Sequence, residues 1–265
     1  MNILNKIIKN KKKEIFKRKK IFSIQILEKT KNFKRKCFSM VKNIHSNKTG
    51  IIAEFKRKSP SKGIINNIIP IEKVIKGYQK ADVSSISIVT DEQFFLGKRE
   101  DLILARINTF LPILRKDFII DEYQIIESKS LGADAILLIA EILSKKEIKK
   151  LSYLAKNLGM ETLIEISCEK DLNKITENYL DIIGINNRNL KDFSVKKEKS
   201  LKLIKKIQNF TKISESGIKN INSVLFLKEK GFDGFLIGEF FMNSKKPSNT
   251  CEKFIKKLKK RLNIF

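Results

Sequence analysis

Lysines, carboxylates and amides recur in this sequence at one kind of position, the point where an apolar run of strand length gives way to polar residues. Seven motifs share that design: AEFKRKSPSKG, SIVTD, LRKDF, LIEIS, GINNRNL, SESGI and LIGE. The chain has a single histidine, His45, which reads as a polar loop residue, so acid and base work must fall to Lys, Glu and Asp. In the first motif Glu54 and Lys56 lie two residues apart and share one face of a strand. Burying such a pair brings little net stability, so its position asks for a functional reason. The residues that follow, Ser59 to Gly63, form a Pro and Gly turn able to act as a flap. A lysine held near another cation gives up its proton more readily, which makes Lys116, beside Lys56, the leading general acid, with Asp117 as its orienting partner. Glu165 is flanked by Ile164 and Ile166, an apolar setting that raises a carboxyl pKa and suits it to proton transfer.

GINNRNL adds Asn186, which can hydrogen-bond a substrate hydroxyl, and Arg188, which can neutralise an anion or fix a neighbouring carboxylate. SESGI and LIGE end in Ser216 with Gly217 and in Gly238 with Glu239. Small residues at matching places in adjacent units can turn backbone N–H groups toward a phosphate. Neither GxGxxG nor a Walker pattern is present to suggest a dinucleotide or ATP.

The elements that must carry these motifs are legible as an alternation from about residue 50 onward. Strand-length apolar runs cover Ile51 to Phe55, Ser85 to Val89, Pro112 to Arg115, Ala135 to Ile139, Thr162 to Ile166, Ile182 to Asn186, Thr211 to Ser214 and Gly234 to Ile237. Helical patterns lie between them, including Ile71 to Lys80, Asp121 to Leu131, Ser144 to Leu158, Asn220 to Lys230 and Glu252 to Leu262. Eight strands, each separated by room for a crossover helix, make a parallel (β/α)₈ TIM barrel, which keeps its active site at the C-terminal strand ends. Residues 49–265 are assigned to that barrel. Residues 1–48 form an N-terminal helical extension of one or two Lys-rich helices, packed on it through a stripe of Leu4, Ile7, Ile8 and Ile15.

The formal net charge of +27 invites a polyanion-binding reading. Only eight of the 56 cationic residues are Arg, however, and abundant Lys, Ile, Asn and Phe fit a compositional bias spread over solvated helix faces. No nucleic-acid partner is expected. Cys37, Cys168 and Cys251 are odd in number and form no CxxC pair, which argues against a disulfide framework or a zinc site and fits a reducing cytoplasm. No apolar run approaches membrane-spanning length, and no membrane partner is expected. Trp is absent, so ring contacts with a ligand must come from Phe or Tyr.

Taken in order, the motifs resemble those of indole-3-glycerol phosphate synthase, the barrel family that closes the indole ring in tryptophan biosynthesis. The resemblance covers essentially the whole chain, and AEFKRKSPSKG with LRKDF carries most of its specificity. It implies a cytoplasmic carboxy-lyase, a monomer or weak homo-oligomer, that decarboxylates and cyclises 1-(2-carboxyphenylamino)-1-deoxyribulose 5-phosphate with release of CO₂ and water. Neither a metal nor an organic cofactor is implied. On this sequence the resemblance makes Lys116 the general acid toward the substrate carbonyl and gives Lys56 the substrate carboxylate. Glu165 serves the later dehydration, with Glu54 and Asn186 in support, and Glu215 and Arg188 complete the polar network. Ser59 joins the substrate contacts. Ser216, Gly217, Gly238 and the Glu239 backbone take the phosphate, while Phe94, Phe118, Leu137 and Leu190 surround the anthranilate ring. One departure is visible, since Phe240 stands where the family often has a small hydroxyl residue. Two other readings are weaker: another phosphosugar barrel, such as phosphoribosylanthranilate isomerase or the tryptophan synthase α subunit, lacks AEFKRKSPSKG, and a polyanion binder would call for clustered Arg and exposed aromatics.

Overall fold

A computed structural model describes residues 3–175, 178–188 and 197–264. Eight strands, β1 (Ile51–Phe55), β2 (Ser85–Val89), β3 (Ile113–Lys116), β4 (Ala135–Ile139), β5 (Glu161–Ile166), β6 (Ile182–Asn186), β7 (Thr211–Glu215) and β8 (Gly234–Ile237), close into one parallel barrel. Side chains alternate across each strand, so the apolar runs feed two cores. Ile52, Leu114, Leu137, Leu163, Ile182, Ile213 and Leu236 fill the barrel, whereas Ile51, Ala53, Ile86, Ile113, Ile136, Ile164, Ile183 and Phe235 meet the surrounding helices. The expected strand spans hold with small shifts, two of which matter. β3 runs on to Lys116 and β7 to Glu215, so both residues are set by the parallel ladder instead of a loop.

The helices outside the barrel start and stop where the sequence provides caps. Asp121 accepts the Tyr123 N–H at 2.9 Å to open α8 (Glu122–Leu131), which ends at Gly132 with φ of 100°. α9 (Lys145–Asn157) opens on a Ser144 and Glu147 capping box. The last helix, α14 (Pro247–Arg261), begins five residues earlier than the apolar pattern suggests, because Pro247 occupies a first-turn position where its missing N–H costs nothing.

The N-terminal extension holds four helices, not one or two: α1 (Ile3–Ile21), α2 (Ile24–Glu28), α3 (Lys31–Lys34) and α4 (Met40–Ser46). The short ones rest on side-chain caps from Ser23, Thr30 and Ser39, which a periodicity search over longer windows passes by. α4 closes the N-terminal end of the barrel. Met40 and Ile44 join the interior cluster, and Glu161 at the start of β5 accepts the Met40 and Val41 N–H groups at 2.8 and 3.0 Å. His45, in the last turn of α4 and not in a loop, lies 3.0 Å from the Thr211 hydroxyl at the start of β7, far from the strand ends that carry the motifs.

α1 packs on the opposite end. Its buried stripe is Leu4, Ile7, Lys11, Ile15 and Arg18, so two cations sit where only apolar residues were expected, and Ile8 is half-buried. Lys11 is fully buried, its Nζ 3.0 Å from Asp91 after β2, 2.8 Å from Asp117 after β3 and 2.9 Å from Glu14. Burial opposes the ammonium, but Asp117, Asp91 and Glu14 outweigh it and hold Lys11 well above the ordinary lysine range. Asp117 also pairs with Arg115 at 3.1 Å, Arg115 with Glu127 of α8 at 2.8 Å, and Glu127 with Arg18 at 3.2 Å, so the chain of charges returns to α1. Asp117 is therefore the anchor of the N-terminal helix and does not orient Lys116.

Replacing Lys11 leaves two buried carboxylates without their shared cation. Lys11→Met should lower unfolding free energy by about 3–5 kcal/mol in urea denaturation. A loss within about 0.5 kcal/mol, the level of an ordinary surface substitution, would contradict this placement.

Candidate active site

The ladder delivers the motif residues to one cavity at the C-terminal mouth. Parallel register sets Lys116 beside Val89, Glu165 beside Gly184, and Asn186 beside Glu215. Lys116 Nζ lies 2.5 Å from Glu215 Oε2 and 3.2 Å from Glu165 Oε2, while Lys56 Nζ lies 2.6 Å from Glu54 Oε1. Two glycines make room for this cluster. A Cβ on Gly184 would come within 2.1 Å of Glu215 Oε1, and one on Gly238 within 2.4 Å of Glu54 Oε1. Neither glycine needs a positive φ; each leaves space for a carboxylate lying against the backbone.

The electrostatics reverse one expectation. Burial works against charge on Lys116, yet Glu215, Glu165 and Glu54 together hold its pKa well above the ordinary lysine value. Lys116 is thus a fully loaded ammonium in the free protein, and the neighbouring Lys56, paired with its own Glu54, does not acidify it. Burial pushes the Glu215 carboxyl up, to about 7, with the Lys116 charge opposing that rise and the Glu165 charge adding to it. Among the described residues, Glu215 Oε1 has no hydrogen-bond partner in its buried position, and neither has Glu54 Oε2. Both oxygens are open to a proton or to a ligand hydroxyl.

Of the sequence-nominated residues, Lys116, Lys56, Glu165, Glu54, Asn186, Glu215, Ser59, Phe118, Leu137, Arg188, Ser216, Gly217, Gly238 and Glu239 all line this cavity. Phe94 does not. It sits in the four-residue α6 (Glu92–Phe95), its N–H donating to Asp91 Oδ1, and it packs on the interior cluster, while Phe95 faces the cavity with its ring 6.1 Å from that of Phe118. Leu190 lies outside the described residues. Arg188 spans the mouth, donating to Ser61 Oγ of the flap at 3.0 Å and to Glu239 Oε2 at 3.4 Å. The flap itself is a small hairpin, Lys58–Ser59 with Gly63–Ile64. Phe240 also lines the cavity, with its ring 5.7 Å from those of Phe241 and Phe254.

A closed parallel barrel with half-buried lysines and buried carboxylates converging on its C-terminal mouth has the build of an acid–base barrel enzyme. Comparison with known proteins narrows this. The family model for indole-3-glycerol phosphate synthase matches residues 4–258. The indole-3-glycerol phosphate synthase of Bacteroides thetaiotaomicron is 43% identical over 256 residues, covering 96% of this chain and 98% of its own, and that of Caldanaerobacter subterraneus is 41% identical over 258 residues, covering 97% and 99%. The chain belongs to the indole-3-glycerol phosphate synthase family. In shape it is similar to tryptophan synthase subunit alpha from Legionella pneumophila, with a TM-score of 0.63 at 12% identity over 86% of this chain and 100% of that one. It is equally similar to 3-hexulose-6-phosphate synthase from Salmonella typhimurium, with a TM-score of 0.63 at 13% identity over 82% and 100%. At these identities the likeness is one of fold.

The Glu215 shift fixes the sign of a stability effect. A carboxyl at about 7 in the fold against 4.5 ordinarily means that folding takes up a proton. This contribution favours the fold below 4.5 and is lost as pH rises through 7. Glu215→Gln removes it, so the melting temperature of the variant should gain on the parent between pH 5 and pH 8. Parallel curves over that window would show that Glu215 titrates normally.

Proposed function

We propose that this cavity performs the decarboxylating ring closure of 1-(2-carboxyphenylamino)-1-deoxyribulose 5-phosphate to indole-3-glycerol phosphate, CO₂ and water, with Lys116 as the proton donor. The observation that carries the assignment is the clamp of Lys116 between Glu165 and Glu215 in a cavity that also presents Lys56 and the ends of β7 and β8. The substrate carboxylate meets Lys56, the anthranilate ring lies against Phe118, Leu137 and Phe95, and the phosphate sits at Ser216, Gly217, Gly238 and the Glu239 backbone. Asn186 and Arg188 hold hydroxyl and anionic groups at the rim.

The aromatic carbon that bears the carboxylate attacks the sugar carbonyl, and the Lys116 ammonium gives its proton to the oxygen as negative charge develops there. Loss of CO₂ returns the bonding electrons to the ring. Glu165 gives a proton to the new hydroxyl, which leaves as water, and the carbon between that centre and the nitrogen gives up a proton to complete the indole double bond. Glu215 regulates the donor: a proton on Glu215 removes one of the charges that hold the proton on Lys116, which makes Lys116 a stronger acid. Each of these steps is an acid–base or electrostatic one that Lys, Glu and Asn side chains supply. A reducing cytoplasm is the proposed compartment, in keeping with three free cysteines and with no described helix being long and apolar enough to cross a membrane. We place the chain there as a monomer or weak homo-oligomer.

Lys116→Met should lower kcat by about 10²–10⁴-fold, as for loss of a general acid, while substrate binding stays measurable. Indole fluorescence after addition of the carboxyphenylamino substrate reads the rate. Turnover within about threefold of the parent would remove Lys116 from the chemistry.

A further inference from the structure

Beside Asn186, which faces the cavity, Asn187 is buried and does not line it. Its side-chain NH₂ group nevertheless works on the end of β7 and the turn that follows. Nδ2 lies 2.8 Å from the Glu215 carbonyl oxygen, 2.9 Å from the Ser216 carbonyl oxygen and 3.1 Å from Ser214 Oγ. Oδ1 accepts the Ser200 hydroxyl of α11 (Lys197–Ile204) at 2.5 Å, and the Asn187 backbone N–H donates to the Glu215 carbonyl at 3.0 Å. Two amide hydrogens cover the two carbonyls, and the single side-chain acceptor is met from the helix outside the barrel.

The stretch so held is the place where β7 ends and its backbone turns over. Ser216 has φ of 68° and Gly217 φ of 75°. For Gly217 the left-handed region carries no steric penalty, but for Ser216 it does, and such a conformation persists only where the surroundings enforce it. The strand ladder does not do so, because among the described residues β7 pairs through Glu215 and no further. Asn187 grips the carbonyl on each side of the Glu215–Ser216 junction, and Ser200 ties that grip to α11.

We infer that Asn187 is a positioning residue for phosphate binding: without touching the substrate it locks Ser216 and Gly217 into the turn that faces the phosphate, with Ser200 as its brace. This rests on the reading above that Ser216 and Gly217 seat the phosphate. The Glu215 side chain depends on Asn187 much less, being placed by the ladder, by the space over Gly184 and by Lys116. Binding should therefore suffer before chemistry does.

The test compares KM for the substrate and the competitive inhibition constant of inorganic phosphate in Asn187→Ala, Asn187→Asp and Ser200→Ala, with Gly217→Val as a variant that fills the seat itself. Both Asn187 variants should raise both constants about tenfold with kcat within about threefold of the parent, and Asp should be the worse because its carboxylate meets two carbonyl oxygens without a proton to offer. Ser200→Ala, milder and on the far side of Asn187, should raise both constants about threefold and keeps the test open if the Asn187 variants do not fold. Unchanged constants in the Asn187 and Ser200 variants beside raised constants in Gly217→Val would overturn the role of Asn187 and leave the phosphate seat standing. A fall in kcat alone would also overturn it, by placing the effect on Glu215. Constants unmoved in every variant, Gly217→Val included, would put the phosphate elsewhere and overturn both readings.

Discussion

An ammonium group cannot leave water unless carboxylates meet it, and the C-terminal end of this barrel takes one lysine fully and another largely out of water. Lys116 is met by Glu165 and Glu215, and Lys11 by Asp91, Asp117 and Glu14. The two clusters share a strand end, because Lys116 and Asp117 are consecutive and point to different neighbours. One therefore serves the cavity and the other fastens α1 across the mouth. Removing either cation leaves like charges facing each other at short range, so the structure around each is fixed by charge balance as much as by packing.

That balance also sets the chemistry available. In the proposed chemistry a lysine with two carboxylates in contact enters the reaction protonated, but it holds that proton tightly, and a donor has to let go. The release is built into the same cluster: Glu215 lies near neutrality, and its proton occupancy changes the charge that Lys116 feels. The glycines at 184 and 238 belong to this arrangement, since a methyl group at either would displace the carboxylate lying over it.

Much of the fold was legible because a strand of a parallel barrel is buried on both faces and reads as a short apolar run between polar ends. The ends of those runs carried the cavity residues, and their order carried the family. What stayed hidden depended on contacts between distant segments. Lys11 and Arg18 fall on the apolar stripe of α1, a signal present in the sequence, yet nothing local says that Asp91, Asp117 and Glu127 wait there. Asp117 follows Lys116 directly, and adjacency suggested a partnership that strand alternation forbids. Two lysines in the same mouth suggested mutual acidification, because Glu165 and Glu215, which hold the charge on Lys116, come from strands far away in the chain. Phe94 and Phe95 could not be told apart, since a four-residue helix has no readable phase. Asn187 belongs to the GINNRNL motif, but nothing in the sequence gave it a task of its own, which shows only in its donors on the Glu215 and Ser216 carbonyls.

The state of Lys116 in the free enzyme is the point on which the proposed chemistry turns, and nitrogen-labelled lysine NMR reads it directly. The Lys116 Nζ resonance, identified by its loss in Lys116→Met, should keep its ammonium position as pH rises past 10.5, the ordinary lysine midpoint. A resonance that moves to the neutral amine position at or below that pH would mean that Glu165 and Glu215 do not clamp the proton, and would contradict the assignment of Lys116 as a donor loaded by its two carboxylates.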